Sequence, residues 1–524
     1  MLIGTLQDPG DVNLYKVLLL AKEPNQLIVM AKLGKKIIDS GILCKIVLVD
    51  YFTYVYGKDF IVKLQDEYNC EIITSEKIFR TWQVNSNPKT SHQSVQSYFS
   101  YWSKKYANKR TLEKVLKTDA YSNSYERGLS CFEISNEWVL QSHYDVLKWC
   151  EEITIKNNPD LFVSIDIELL PTNIFFEMSQ TLDIPFITFL DSRILGRWVY
   201  RKDFGYGMSE ELRAQIFSCK YESQDNPDVE HFIKYFTLTN IGSYNSLSAN
   251  LNLNSRKYFS HIFRYFQNLF FDLSKYLLWI LKMIKSSFKT RAFKVIRFDQ
   301  SFRKLWTSEF KRLILPYKIR FDKRFIIKAD EVEKFFFWSL HDRPEGSGLV
   351  QGDGLDEIEI LVEFARLVPK NTKILVKENS LMYGLRNSSI YNRLILEGNI
   401  ILVNPFVSSR EFIVRSVGVV GISGTVLLEA GMLQKPSWAL GNPEFAPALC
   451  GFGKDGIQKF VSDCITNSID IPKLDMRIRQ YLKFIFDNST ICDSSISRTN
   501  NVDLMNYNIE RMFTIVTNEL NVVS

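Results

Sequence analysis

Short apolar runs alternate with stretches of helical spacing in two separate blocks of this chain, and that alternation restricts the folds open to it. In the first block Val17–Ala21, Lys45–Asp50, Glu71–Thr74, Leu161–Ile165 and Pro185–Leu190 read as strands. Helical spacing covers Gln26–Asp39, Glu133–Lys156 and Pro171–Thr181, while residues 85–124 read as loop plus helix. From Asp203 to Leu253 the pattern weakens into polar helices and loops, and residues 254–330 read as helical, basic and aromatic. Strands then return at Phe335–Leu340, Lys373–Val376, Asn399–Val403, Val417–Ile422 and Ser437–Leu440, with helices at Glu357–Val368, Ser388–Leu396, Ser409–Ser416 and Thr425–Leu433. Such β-α alternation implies parallel sheets with right-handed crossovers. The expected architecture is α/β with two Rossmann-type lobes, 1–203 and 331–500, joined by a helical basic region, 204–330. A last helix, Asp503–Leu520 within 501–524, could pack on either lobe.

The totals exclude several classes. Hydrophobic residues make up 46% and charged residues 24%, which is too apolar for a disordered chain. Eight cysteines stand singly without a C-x-x-C pair, as in a protein kept reduced in the cytoplasm. The five histidines show no metal-ligand spacing, so no metal site is expected. The first residues lack the basic-then-apolar layout of a signal peptide. Leu269–Ile284 comes nearest to a membrane span, yet Asp272, Ser274, Lys275 and Lys282 interrupt it. Between Arg256 and Lys328 there are 19 Lys or Arg against 4 Asp or Glu, although the whole chain is only +6. Phe259, Phe263, Tyr265, Phe266 and Trp279 interleave with those charges. That mixture suits an amphipathic surface meeting anionic lipid, and basic helices packed into the protein are the alternative. No nucleic-acid-binding motif accompanies it.

Side chains just past strand ends are where an open α/β sheet builds its ligand site. Phe335–Leu340 runs into His341, Asp342, Arg343, Pro344 and Glu345, followed by four glycines in nine residues at 346, 348, 352 and 354. Glycines let backbone approach a ligand closely, and this loop adds an imidazole, a cation and carboxylates. Val417–Ile422 ends in Ser423-Gly424-Thr425, and Glu429 falls four residues on, along the same helix face. Here a hydroxyl and backbone N–H groups suit phosphate, and Glu429 suits ribose hydroxyls, although an ordinary capped turn has the same composition. Lys377-Glu378-Asn379 follows Lys373–Val376; a side chain there could face a nucleotide, but the stretch reads first as a surface turn. In the first block Asp166 and Glu168 follow one strand and Asp191 another, as candidate bases or nucleophiles, or simple helix caps. Arg193 and Arg197 could bind an anionic donor or acceptor.

Taken together, these stretches resemble the bacterial capsule polysaccharide biosynthesis family, GT-B-like enzymes that include Kdo transferases. Leu340-His341-Asp342-Arg343-Pro344-Glu345-Gly346-Ser347 is similar to the family's L-H-x-x-P-E-x-S. Gly424-Thr425-Val426-Leu427-Leu428-Glu429-Ala430 is similar to its G-T-x-x-x-E-A, with Lys435-Pro436 where G-K-P ends. Arg193-Ile194-Leu195-Gly196-Arg197 is similar to its R-I-x-x-R. The chain departs at Lys377-Glu378-Asn379-Ser380, where the family has K-E-H-P, and at Arg343, where Gln is common.

The resemblance implies a GT-B-like, metal-independent glycosyltransferase of surface polysaccharide assembly. No cofactor is expected; the donor would be a nucleotide sugar, CMP- or UDP-linked. Ser423, Gly424, Thr425, Glu429, Arg343 and Lys377 would hold it, with His341 and Glu345 beside its phosphate or sugar. Asp166, Glu168 or Asp191 would serve a saccharide or lipid-linked acceptor. The expected location is cytoplasmic, peripheral on the inner membrane, with no nucleic-acid partner. Two alternatives stay open: a polyol-phosphate transferase of the teichoic-acid type, and a degenerate assembly or export partner.

Overall fold

The computed structural model of the chain describes residues 15–22, 24–48, 58–74, 90–107, 110–118, 136–165, 167, 169–194, 196–203, 209–218, 220–222, 226–239, 322–326, 332–341, 350–352, 354–380, 382–383, 386–492 and 501–520. Two seven-stranded sheets organise them. The first contains β1 (Lys16–Ala21), β2 (Leu43–Leu48), β3 (Glu71–Thr74), β4 (Leu161–Ser164), β5 (Phe186–Asp191), β6 (Arg197–Arg201) and β14 (Thr490–Ile491), in the order β14-β6-β5-β4-β1-β2-β3. The second contains β7 (Phe325–Ile326), β8 (Phe335–Ser339), β9 (Lys373–Lys377), β10 (Ile400–Val403), β11 (Gly418–Gly421), β12 (Ser437–Ala439) and β13 (Gly451–Phe452), in the order β13-β12-β11-β8-β9-β10-β7. All pairings in the second sheet are parallel. The two-lobed α/β class expected from the sequence is the one observed.

β8 shows why the second sheet forms where it does. Phe335, Phe336, Phe337 and Trp338 are all fully buried, as a parallel strand covered on both faces requires. Alternate side chains point to opposite faces. Phe335 and Phe337 join a cluster with α12 (Val426–Met432) and α14 (Ile471–Asn488), while Phe336 and Trp338 join one with α9 (Glu357–Leu367) and α13 (Ile457–Ile465). Each such side chain contributes about 1.5–3 kcal/mol of burial.

The first lobe departs from a purely parallel sheet. β6 pairs antiparallel with β5, and β14 pairs antiparallel with β6. Residues 197–201, given no strand in the sequence reading, are therefore a strand, and Arg197, a candidate anion binder, opens it. Its hairpin through Ser192 and Gly196 brings Trp198 opposite Asp191. Strand β7 and strand β14 also fall outside the boundaries drawn from sequence, because two-residue strands have no periodicity to read. The final helix, α15 (Val502–Glu519), packs on the first lobe: Ile509, Met512 and Val516 share a core with α1 (Pro24–Asp39) and β1. Asn508 Oδ1 accepts from Trp198 Nε1 at 3.1 Å.

The lobes interlock. Ile194 of the β5–β6 hairpin enters the second lobe's core, and Val350 enters the first lobe's. Beside them Arg193 donates from Nε to Glu444 Oε1 (3.1 Å) and from Nη2 to Gln351 Oε1 (2.8 Å). Gln351 Nε2 donates in turn to Glu444 Oε2 (2.8 Å). Helices α7 (Glu210–Ser218) and α8 (Pro227–Leu238) pack against α14. The basic, aromatic stretch from Arg256 onward lies outside the described residues as far as Phe321. Among the described residues no helix is long and apolar enough to cross a membrane.

Candidate functional site

Strand order decides where a crevice opens in the second sheet. From β8 the chain adds β9 and β10 on one side, then returns to add β11, β12 and β13 on the other. The reversal falls between β8 and β11, and the crevice outside the carboxyl ends of such strands is the usual ligand site of an open α/β sheet. His341 lies two residues past β8 and Ser423 two past β11. Their side chains meet there, with Ser423 Oγ 3.4 Å from His341 Nε2.

His341 is held on three sides. Its backbone N–H points at both carboxylate oxygens of Glu357 (3.2 and 3.1 Å), and its Nδ1 lies 2.6 Å from Glu357 Oε1. Its carbonyl accepts from Arg386 Nη2 (2.9 Å). Glu357 is fully buried and opens α9, which Asp356 caps by accepting from the N–H groups of Ile358 and Glu359. A carboxylate at a helix start is favoured by the helix dipole.

Below the imidazole a second buried pair supports the floor. Arg386 donates to Glu378 through Nε (2.6 Å) and Nη2 (3.3 Å), and the Tyr391 hydroxyl donates to Glu378 (2.8 Å). Burial, reinforced by Glu378, raises the Tyr391 phenol far above its ordinary range. Lys377 ends β9 beside this group. Burial pulls its ammonium down to about 8, while the Glu378 and Glu429 carboxylates act in the opposite direction. That pull places Glu429, in the first turn of α12, within electrostatic reach of Lys377.

The residues singled out from sequence thus separate into groups. His341, Ser423 and Gly424 are brought together, and a Cβ built on Gly424 would lie 3.4 Å from His341 Nε2. Lys377 and Glu429 stand nearby, and Thr425 starts α12 without a side-chain capping bond. Arg343, Glu345, Asp166 and Glu168 lie outside the described residues. Asp191 is the last residue of β5, within the first sheet rather than on a loop after it. Of the surface turn expected at residues 377–379, Lys377 ends β9 and Glu378 is buried, its charge matched by Arg386, while Lys377 and Asn379 are half-buried. Arg193 is engaged in the interlobe contact, and Arg197 stacks on Phe486 and donates to Ser489.

Glu357 and Arg386 were not anticipated, nor was the pairing of Glu378 with Arg386. A helix opening on Asp356-Glu357 is visible in the sequence, but no local pattern says that its second acid turns toward a histidine sixteen residues earlier. Glu357, His341 and Ser423 have the order of a nucleophilic triad. Yet Ser423 is 2% exposed and its contact with Nε2 is long, so its hydroxyl flanks the imidazole instead of presenting a nucleophile. Among the described residues no three His, Cys, Asp or Glu side chains cluster as metal ligands.

The fold defines a two-lobed α/β protein with a strand-order reversal in its second sheet. No family model and no curated protein matches the chain. Solved structures align with the chain over most of their length at low identity and low TM-score. An S. aureus MnaA–UDP co-structure is 11% identical, covering 97% of this chain and 98% of that one, with a TM-score of 0.27. A UDP-GlcNAc 2-epimerase from Neisseria meningitidis bound to UDP-GlcNAc is 13% identical, covering 90% and 100%, with a TM-score of 0.24. CalG4, the calicheamicin glycosyltransferase, is 10% identical, covering 91% and 95%, with a TM-score of 0.25. Likeness at this level equates none of their residues with those of this chain.

Proposed function

We propose that the chain is a glycosyltransferase that takes a nucleotide-activated sugar in the second-lobe crevice and serves bacterial surface polysaccharide assembly. The observation that carries this reading is the meeting of His341 Nε2 with Ser423 at the strand-order reversal, with Lys377 at the adjoining strand end. A cation, an imidazole, a hydroxyl and a glycine-lined backbone are the groups that grip a phosphate. In the transfer the acceptor oxygen bonds to the anomeric carbon as the bond from that carbon to the phosphate oxygen breaks. The electron pair leaves with the nucleotide, and the acceptor's proton passes to a carboxylate. Asp166, Glu168 and Asp191 are the candidates for that base. Lys377 and His341 would stabilise the charge gathering on the phosphate, the role preorganised donors play in such sites. Arg343 and Glu345 would sit near the donor phosphate or sugar, and Glu429 would accept from the ribose. The basic middle segment would hold the protein at the inner membrane, beside a lipid-linked acceptor.

A thermal-shift panel of CMP, UDP, GDP and their sugar derivatives tests the reading. One nucleotide should stabilise the wild type, and Glu429→Ala should abolish that shift. A shift unchanged by Glu429→Ala removes this residue from the site. A product that keeps its nucleotide but carries a rearranged sugar would replace transfer by isomerisation.

A further inference from the structure

We infer that Glu357 is the positioning residue of this crevice: it fixes the ring hydrogen of His341 on Nδ1, so that Nε2 is the atom turned toward an anionic oxygen of the ligand. The inference rests on the nucleotide reading above and adds a residue and a proton position to it. Glu357 Oε1 lies 2.6 Å from Nδ1, and both its oxygens also face the backbone N–H of the same histidine. A carboxylate only accepts, so the hydrogen between Oε1 and Nδ1 belongs to the ring. Second partners of this kind set tautomer and orientation in histidine sites generally. The backbone carbonyl held by Arg386 removes the remaining freedom of the residue to shift.

Nε2 then faces Ser423 and the backbone of Gly424, and it is the position at which the ring can take a second hydrogen. A side chain at 424 would begin 3.4 Å from it, so glycine there keeps the approach open. With a phosphate oxygen in place, a hydrogen at Nε2, held while Glu357 keeps the one on Nδ1, would donate a charge-assisted hydrogen bond. Without Glu357 the hydrogen is free to settle on Nε2 alone, leaving a neutral donor.

Full-length protein labelled with ¹⁵N-histidine decides the matter, the His341 signals being assigned by their loss in His341→Gln. Without nucleotide, the wild type should show hydrogen on Nδ1. Glu357→Gln, which offers an amide N–H to Nδ1, should move it to Nε2. Ser423→Ala should leave it in place. Titration with CMP and UDP should then show binding of one nucleotide at least tenfold weaker in Glu357→Gln, with partial recovery in Glu357→Asp. A wild-type ring with hydrogen on Nε2 overturns the inference even if Glu357→Gln fails to fold. So does a nucleotide affinity unchanged by a Glu357→Gln variant that has switched tautomer, and that outcome leaves the nucleotide reading standing. A wild type that binds neither CMP nor UDP, with its tautomer as expected, overturns the ligand role assigned to Nε2 along with the donor assignment.

Discussion

Replacing Arg386 by Met should destabilise the floor of the crevice far more than any surface ion pair could. Arg386 and Glu378 are 0% and 1% exposed at their side chains, with Nε and Oε2 2.6 Å apart. Removing one partner of a buried pair costs about 3–5 kcal/mol, because the remaining charge has lost both water and its counter-ion. Glu378 would keep two donors, the Tyr391 hydroxyl and the Asn379 N–H, each at 2.8 Å. Those bonds place the loss near the lower end, about 3 kcal/mol, or roughly 150-fold in the opening equilibrium. Arg393 and Glu359 provide a control, being comparably close at 2.5 Å but about half exposed. Arg393→Met should cost about 0–1 kcal/mol. Two lobes need not unfold as one unit, so a single melting temperature is a poor measure. Hydrogen exchange in peptides covering β8 and β9 reads the local opening directly. Protection there should fall in Arg386→Met and recover in the Glu378→Gln, Arg386→Met double variant. Equal protection in Arg386→Met and Arg393→Met would refute the reasoning.

Two further outcomes follow from the second lobe. Lys377 is held down to about 8 by burial, so the cost of its charge is present in full below pH 8 and is relieved as pH rises toward 10.5, where the unfolded lysine also loses its proton. Wild-type stability should therefore gain about 3 kcal/mol relative to Lys377→Met across that window, as urea midpoints at its two ends would show, and nucleotide affinity should weaken above pH 8; parallel profiles for the two proteins would contradict this. At Gly451 a Cβ would lie 2.2 Å from Trp438 Cζ3, so Gly451→Ala must displace the indole. It should destabilise the edge of the sheet by about 1–3 kcal/mol and weaken the bond from Trp438 Nε1 to the Gly453 carbonyl, now 2.8 Å, measurable as a change in tryptophan fluorescence.

How much of this was legible depended on whether the information was local. Fully buried parallel strands advertise themselves, and Phe335–Leu340 and Val417–Ile422 contain β8 and β11 within a residue or two. The helix expected over Ser388–Leu396 has those limits, since Asn387 caps it and Gly398 follows it. β6 was missed because Arg197 and Arg201 bracket only three residues, and a strand with charged ends reads as a loop. α14 was missed although its signal is present: Leu474, Ile478, Tyr481, Leu482 and Ile485 repeat at helical spacing and are all buried. In the site, His341 and Ser423 were readable as strand-end residues. Their supports were not, because the partners of Glu357, Glu378 and Arg386 are chosen by the fold and leave no pattern in the neighbouring sequence.

The return of the last helix to the first lobe bears on the order in which this protein can be made. While the ribosome still holds residues 490–520, β6 lacks its outer neighbour and α1 lacks Ile509, Met512 and Val516. The strands of the second sheet, by contrast, have all emerged once residue 452 is clear. Domains usually mature in the sequence in which they are translated. Here the lobe begun first is the one finished last, its interior sealed only when β14 and α15 arrive.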